Sequence, residues 1–290
     1  MIHALYRPCP PLRELVEFFW VSERYTAART ARERVLPSGA QVVVFHLADH
    51  PVRIWASEEG PEATFVHEAA VCGVRQRPLL LDTVLGPTVG VHFKPGGARP
   101  FFDGPAAELA DRVVSLDTLW GPEARLLRER LAEETSPVAR VRALEEDLLR
   151  RAARRRQPGH ALRASLRALE EPSLASIAEV RSRTGLSPKR LSALFRDEVG
   201  LGPKVFWRVR RFRAALHDLD EGILRGADLA YAHGYCDQAH FLREFRSLAG
   251  SSPSEYLAAR VAGTDHVSIR GKKDPIRGAG RALPWASGDP

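Results

Sequence analysis

Two hydrophobic rhythms divide the chain. Up to about residue 120, apolar stretches are short, at 15–21, 41–47, 63–74, 79–85 and 89–93. Turn-forming clusters separate them, among them Pro37, Ser38 and Gly39, then Glu59, Gly60 and Pro61, then Gly86 and Pro87, then Pro95, Gly96 and Gly97. Short apolar runs with this punctuation predict several β-strands in a sandwich or small barrel. Val42, Val43, Val44 and Phe45 are β-branched or aromatic and favour strand. From residue 122 the rhythm becomes helical. Ala124, Leu127 and Leu131 fall at helical spacing. Ser136 and Pro137 form a cap and first-turn pair, and Val138, Val141, Leu144 and Leu148 continue the stripe. Arg150, Arg151, Arg154, Arg155 and Arg156 close this second helix, where cations suit the C-terminal dipole, and Gln157, Pro158 and Gly159 read as a linker. Residues 160–260 are helical in pattern throughout. Beyond 261 the chain is rich in Gly, Pro, Lys and Arg and poor in apolar residues, which predicts a disordered tail. The expected fold is α+β: a β-rich domain over 1–121, a two-helix extension over 122–156, an all-α domain over 160–260 and a tail over 261–290.

The all-α region contains an internal repeat. Gly185 is followed by Ser187, Leu191, Phe195, Gly200 and Pro203. Gly234 is followed by Asp237, Phe241, Phe245, Gly250 and Pro253. In both copies two apolar anchors lie four residues apart, and the second precedes a Gly by five and a Pro by eight. The pattern predicts a helix–turn–helix, twice. Ile177, Ala178 and Val180 make a first helix ending at Gly185. Ser187 caps the next, with Pro188 at its first position and Leu191, Leu194 and Phe195 facing inward. In the second copy Leu229 and Ala230 lead to Gly234, Asp237 caps, and Phe241, Phe245 and Leu248 face inward. Lys189, Arg190, Ser192 and Ala193 in one copy, and Gln238, His240 and Arg243 in the other, are left for other faces. A connecting helix from Pro203 to Leu219, about 17 residues or roughly 25 Å long, carries Arg208, Arg210, Arg211 and Arg213. Such a pair of units is what places helices in the DNA major groove, with basic connectors on phosphates.

Charge sharpens this picture. Residues 1–155 hold 21 Lys/Arg against 21 Asp/Glu, whereas residues 156–260 hold 17 against 12. A neutral front and a basic back point to a polyanion partner for the back. Three scattered cysteines, Cys9, Cys72 and Cys236, exclude a disulfide framework and a clustered zinc site, and fit a reducing cytoplasm. No apolar run is long enough for a membrane span, and the N-terminus lacks the apolar region of a signal peptide.

Residues 160–260 resemble the DNA-binding domain of AraC/XylS-type transcription regulators. The resemblance is carried by Thr184 to Phe195 (TGLSPKRLSALF), by Gly234 to Phe245 (GYCDQAHFLREF) and by the closing Gly250, Ser251, Ser252, Pro253, Ser254, Glu255 and Tyr256. It implies seven helices in two units. By that resemblance Lys189, Ser192, Ala193, Gln238, Ala239, His240 and Arg243 are the candidates for base contacts. Arg190, Arg208, Arg211 and Arg246 are the candidates for phosphates. Gln suits adenine, Arg suits guanine, and Ala239 could meet a thymine methyl. Arg181 departs from the family, which has a small residue packed between helices there; it could snorkel outward or widen the packing. Leu36, Pro37, Ser38 and Gly39 leading to Val44 and Phe45, together with Gly90 to Gly97 (GVHFKPGG), are similar to a subfamily of cupin-like sensor domains. The implied partners are double-stranded DNA, a small-molecule effector, RNA polymerase and a second copy of the chain.

Catalytic and cofactor chemistry finds no foothold in the sequence. There is no Gly-x-Ser-x-Gly elbow and no Walker-type Gly-Lys-Ser/Thr. His46, Asp49 and His50 lie close, but at a strand's exit turn and without a companion cluster at metal spacing. His92 in an apolar strand reads as a hydrogen-bonded core residue. Trp20, Trp55, Phe101 and Phe102 read as core, with a ligand pocket as the other option. The chain is expected to be a regulator without cofactor or enzymatic activity. The other readings are an adaptor or architectural DNA-associated protein without sequence readout, and an enzyme in the front half tethered by the basic domain.

Overall fold

The computed structural model describes residues 2–24, 32–48, 51–55, 63–66, 68–82, 86–153, 158–171, 174, 176–261 and 265–269. Among the described residues, eleven strands form two antiparallel sheets. The first has six: β1 (Ile2–Tyr6), β2 (Val16–Arg24), β4 (Val42–His46), β7 (Ala69–Cys72), β9 (Gly86–Phe93) and β10 (Val113–Ser115), in the order β1-β2-β9-β4-β7-β10. The second has five: β3 (Arg32–Val35), β5 (Val52–Trp55), β6 (Ala63–Val66), β8 (Leu79–Asp82) and β11 (His266–Ile269), in the order β11-β3-β8-β5-β6.

Strand alternation sorts the first sheet into two faces. Phe19, Val91, Val43 and Val71 lie in one cross-strand row, and Val21, Val89, Phe45 and Ala69 in the next. These residues are buried against α1 (Leu116–Trp120), α2 (Pro122–Glu133) and α3 (Pro137–Ala152), which contribute Leu127, Leu131, Leu144 and Leu148. Each such aliphatic side chain contributes about 1.5–3 kcal/mol by leaving water. The opposite face carries Phe18, Trp20, Val42, Val44, His46, Thr88, Gly90 and His92. Toward its β10 edge it packs on the second sheet, where Cys72 and Val113 meet Val35, Val52, Leu79 and Leu81. The expected helical extension is present. Ser136 sits at the cap position of α3, but its side chain makes no capping hydrogen bond, so Pro137 carries the start.

The remaining helices are α4 (His160–Glu170), α5 (Ile177–Thr184), α6 (Pro188–Glu198), α7 (Pro203–Asp220), α8 (Gly226–Ala232), α9 (Gln238–Ala249) and α10 (Pro253–Ala259). One apolar cluster joins them through Leu191, Phe195, Phe206, Phe212, Phe241 and Phe245, and it takes in Leu36 and Val74 from the β-rich part.

The expectation of a structureless tail from 261 is corrected at β11. That strand pairs with β3 in register, His266 opposite Val35 and Ile269 opposite Arg32. Asp265 accepts from Leu36 N at 3.0 Å through its carbonyl and meets Arg213 at 2.6 Å. His266 Nδ1 lies 2.5 Å from Glu33 Oε2. Four residues of modest hydropathy become a strand because their partner, more than 230 residues away, offers an open edge. Residues 262–264 and 270–290 of the expected tail lie outside the described residues.

Candidate nucleic-acid interface

Each unit is built as local chemistry dictates. Ser176 Oγ caps α5 at Glu179 N, and the helix ends on Gly185, whose φ of 69° is the left-handed conformation that glycine takes without a Cβ penalty. Ser187 Oγ accepts from Arg190 N at 3.3 Å, with Pro188 at the first turn of α6. In the second unit Asp237 Oδ1 accepts from His240 N at 2.6 Å to start α9. Ser187 and Asp237 hold the same place in the repeat, four residues before Leu191 and Phe241. A capping box of Ser252 and Glu255 then starts α10. The connector α7 runs 18 residues, about 27 Å of helix.

Both second helices bury their anchors and expose the residues singled out from the sequence. Leu191 and Phe195 are buried, while Lys189, Arg190 and Ala193 are exposed and Ser192 is half-buried. Phe241, Phe245 and Leu248 are buried, while Gln238, Ala239, Arg243 and Arg246 are exposed and His240 is half-buried. The His240 ring packs edge-on against Tyr235, and its Nδ1 accepts from Cys236 N at 3.4 Å. That bond leaves Nε2 as the ring's donor. Arg196, equivalent to Arg246 in the repeat, is exposed as well. Sequence reasoning passed over it, although the repeat register marks it.

Comparison with known proteins agrees with this geometry. Residues 181–259 match the family described as a helix-turn-helix domain, and residues 4–115 match a domain of unknown function, DUF6597. A transcriptional regulator of the helix-turn-helix type from Rhizobium meliloti, GlxA, is 32% identical over 169 residues, covering 56% of this chain and 52% of that protein. The arabinose operon regulatory protein of Escherichia coli is 32% identical over 94 residues, 32% of each chain. This chain carries an AraC-type helix-turn-helix domain. It spans about half the length of the first relative and about a third of the second. Among solved structures, ToxT from Vibrio cholerae aligns at a TM-score of 0.48 and 10% identity, over 89% of this chain and 99% of that one.

Within the AraC-type domain, two of the four phosphate candidates are engaged elsewhere. Arg208 Nε donates to Glu244 Oε1 at 2.5 Å, and Arg211 Nη2 donates to Glu244 Oε2 at 2.6 Å. Arg211 also donates to Gly234 O at 3.1 Å and lies over the Tyr235 ring. Residues 208 and 211 share one face of α7, and that face meets α9, so the pair ties the connector to the second recognition helix rather than presenting free cations. Glu244 was missed from the sequence. It occupies the repeat position held by Leu194 in the first copy, and a carboxylate on a buried stripe was the available signal. Burial alone would push its carboxyl up, but hydrogen bonds from Arg211 and Arg208 outweigh that and hold it below the ordinary range. Of the other basic residues on α7, Arg210 faces Glu170 and Arg213 faces Asp265. Arg181 is half-buried on α5, with its Nε enclosed and lacking an acceptor.

The front domain disposes of its candidates differently. Phe101 and Phe102 are core; Phe102 stacks on Trp120, whose Nε1 donates to Phe101 O at 2.9 Å. Trp55 donates to Asp82 and lies under Arg32. Trp20 lies over Gly90, where a Cβ would come within 2.1 Å of its ring. His92 is stacked on Phe18 at 4.8 Å, and its Nδ1 has no hydrogen-bond partner. His46 likewise has an unpartnered Nδ1. His50 and Asp49 lie outside the described residues. Among the described residues no group of three or more His, Cys, Asp or Glu could hold a metal ion, and no helix is long and apolar enough to cross a membrane.

Burial pushes His46 down to about 4, with help from nearby Arg128, and burial pushes His92 down to about 4. Below the ordinary value of 6.5 the unfolded chain therefore takes up protons that the folded chain refuses. Stability is full above 6.5 and falls as pH drops toward about 4, by on the order of 3 kcal/mol for His46. Urea melts at about pH 7 and about pH 5 should show this loss, and His46→Gln should remove about half of the slope, His92 keeping the rest. An unchanged slope in the variant would remove His46 as the cause.

Proposed function

We propose that this chain is a sequence-specific transcription regulator that binds double-stranded DNA in the cytoplasm and has no enzymatic activity. The observation that carries the reading is the matched pair of second helices, each capped at the same repeat position and each exposing polar and basic side chains on one face. The names of the relatives, a transcriptional regulator and an operon regulatory protein, support it. The second unit carries most of the base readout. Gln238 and Arg243 are suited to adenine and guanine, His240 donates through Nε2, and Ala239 meets a thymine methyl. The first unit reads less, because Lys189, Ser192 and Ala193 offer one long side chain where the second unit offers several. Ala193 stands at the place of Arg243 in the repeat. Arg190, Arg196 and Arg246 serve phosphates, so affinity falls steeply with salt.

The β-rich domain senses a small molecule or pairs with a second copy, and RNA polymerase is the downstream partner. The face of the first sheet with Phe18, Trp20, His46 and His92 joins apolar surface to unpartnered imidazole nitrogens, the composition of a small-molecule site. An effector there acts only if it binds the DNA-competent and incompetent arrangements with different affinity.

Arg243→Ala is expected to cost about 1–3 kcal/mol on the preferred site and to relax one base position. Arg246→Ala is expected to weaken all sequences alike and to lower the salt slope by about 1. Competition binding with single-base variants of the site separates the two. Uniform weakening by Arg243→Ala would contradict its role as a base reader.

A further inference from the structure

The turns that follow α6 and α9 are equivalent in the repeat, with Gly200 and Gly250 each five residues after the second anchor. Both are left-handed, at φ 99° and 72°. Both also lie against the β-rich domain beside one loop, Gly200 tightly at Val74 and Gly250 at ordinary contact distance from Pro78. A Cβ on Gly200 would lie 2.6 Å from Val74 Cγ1 and 2.9 Å from Ala106 O, and one on Gly250 would lie 3.1 Å from Arg34 Nε and 3.4 Å from Pro78 Cγ. Val74 and Pro78 bracket loop 73–78, which carries the chain from β7 in the first sheet to β8 in the second.

That loop is pinned. Gly73 N donates to Arg112 O at 2.9 Å, and Asp111 N donates to Val74 O at 2.9 Å. Gln76 donates to both oxygens of Asp111, from its backbone N and from Nε2, each at 2.9 Å. Asp111 has a φ of 56°, the only positive value at a non-glycine among the described residues. A residue held in that region persists only where its surroundings over-determine it. Here the surroundings are the loop it holds.

We propose that loop 73–78 is the coupling element of this chain. It seats both post-helix turns, fixes the two helix-turn-helix units relative to each other, and carries any change in the β-rich domain to both at once. The two units also share α7 and the apolar cluster around it. A single pinned loop under both turns makes their positions correlated, which is the physical content of coupling between sites. The seat itself does not depend on what the units bind; its consequence for DNA rests on the reading given above.

The test uses the full chain with Asp111→Gly, since glycine takes this backbone conformation freely and only the pin is lost. Gln76→Ala is a second variant that removes half of the same pin. Amide hydrogen exchange is read at Gln76, at Gly200 (bonded to Phe195 O) and at Gly250 (bonded to Arg246 O). The expected result is faster exchange at all three, by about fivefold or more, the scale of a modest coupling. Affinity for a two-box duplex should fall by about the same factor while affinity for a single box holds. Acceleration confined to 73–78 overturns the proposal whether or not the chain binds DNA. Equal weakening on one-box and two-box duplexes also overturns it. A wild-type chain that binds neither duplex would refute the DNA reading alone, and the exchange result would still decide the seat.

Discussion

Phe245→Ala is expected to lower the unfolding free energy by about 3–5 kcal/mol, the largest single effect in the α-helical half. Phe245 is fully buried, with ring centroids 5.3 Å from Phe212, 5.6 Å from Phe241 and 5.8 Å from Tyr256. Those three rings come from α7, α9 and α10, so one side chain links three helices of the second unit. Its removal leaves a cavity that helices fixed by caps at Asp237 and Ser252 cannot close. Denaturant melts followed by circular dichroism measure the loss. A cost below about 1 kcal/mol would mean that the second unit is not packed as described.

Glu244→Leu, which copies the residue of the first repeat at that position, is expected to destabilise by about 2–4 kcal/mol despite adding apolar surface. The carboxylate is buried and answers two guanidiniums at once, so its loss leaves Arg208 and Arg211 facing each other unneutralised. The lower part of the range for a broken buried pair applies, because Arg208 keeps 34% of its side chain in water. Replacing Arg211 by Met and Arg208 by Leu in the same chain should restore much of the loss, since an apolar set of similar volume is often as stable as the ion cluster. The carboxyl is held below its ordinary value of 4.5, so the clamp contributes fully above that pH and is lost as pH falls below it. A neutral Glu244→Leu would show that the two arginines are solvated rather than clamped.

The contrast between those two positions explains what the sequence discloses. Phe245, Gly185, Ser187 and Asp237 were legible because their signals are local. A cap, a left-handed glycine and an anchor four residues on all act within one or two turns of helix. Partner choice in sheets is not local. The run 63–74 reads as one apolar stretch, yet β6 pairs in the second sheet and β7 in the first. Strands β1, β3, β5, β10 and β11 were likewise unmarked because they are short, and β3 and β11 also find each other only across the length of the chain. The same limit applies to Arg208 and Arg211. Their spacing announced a basic face of α7, but only the docking of α9 shows that Glu244 answers it.

The most direct measurement of the central claim is selection of bound duplexes from a random library with the full-length protein at near-physiological salt. Two matched second helices on one connector predict a consensus of two boxes about one helical turn apart, with the stronger base preference in the box read by Gln238, His240 and Arg243. Enrichment of no sequence, with binding that merely fades as salt rises, would contradict that claim and leave a basic domain that associates with DNA without reading it.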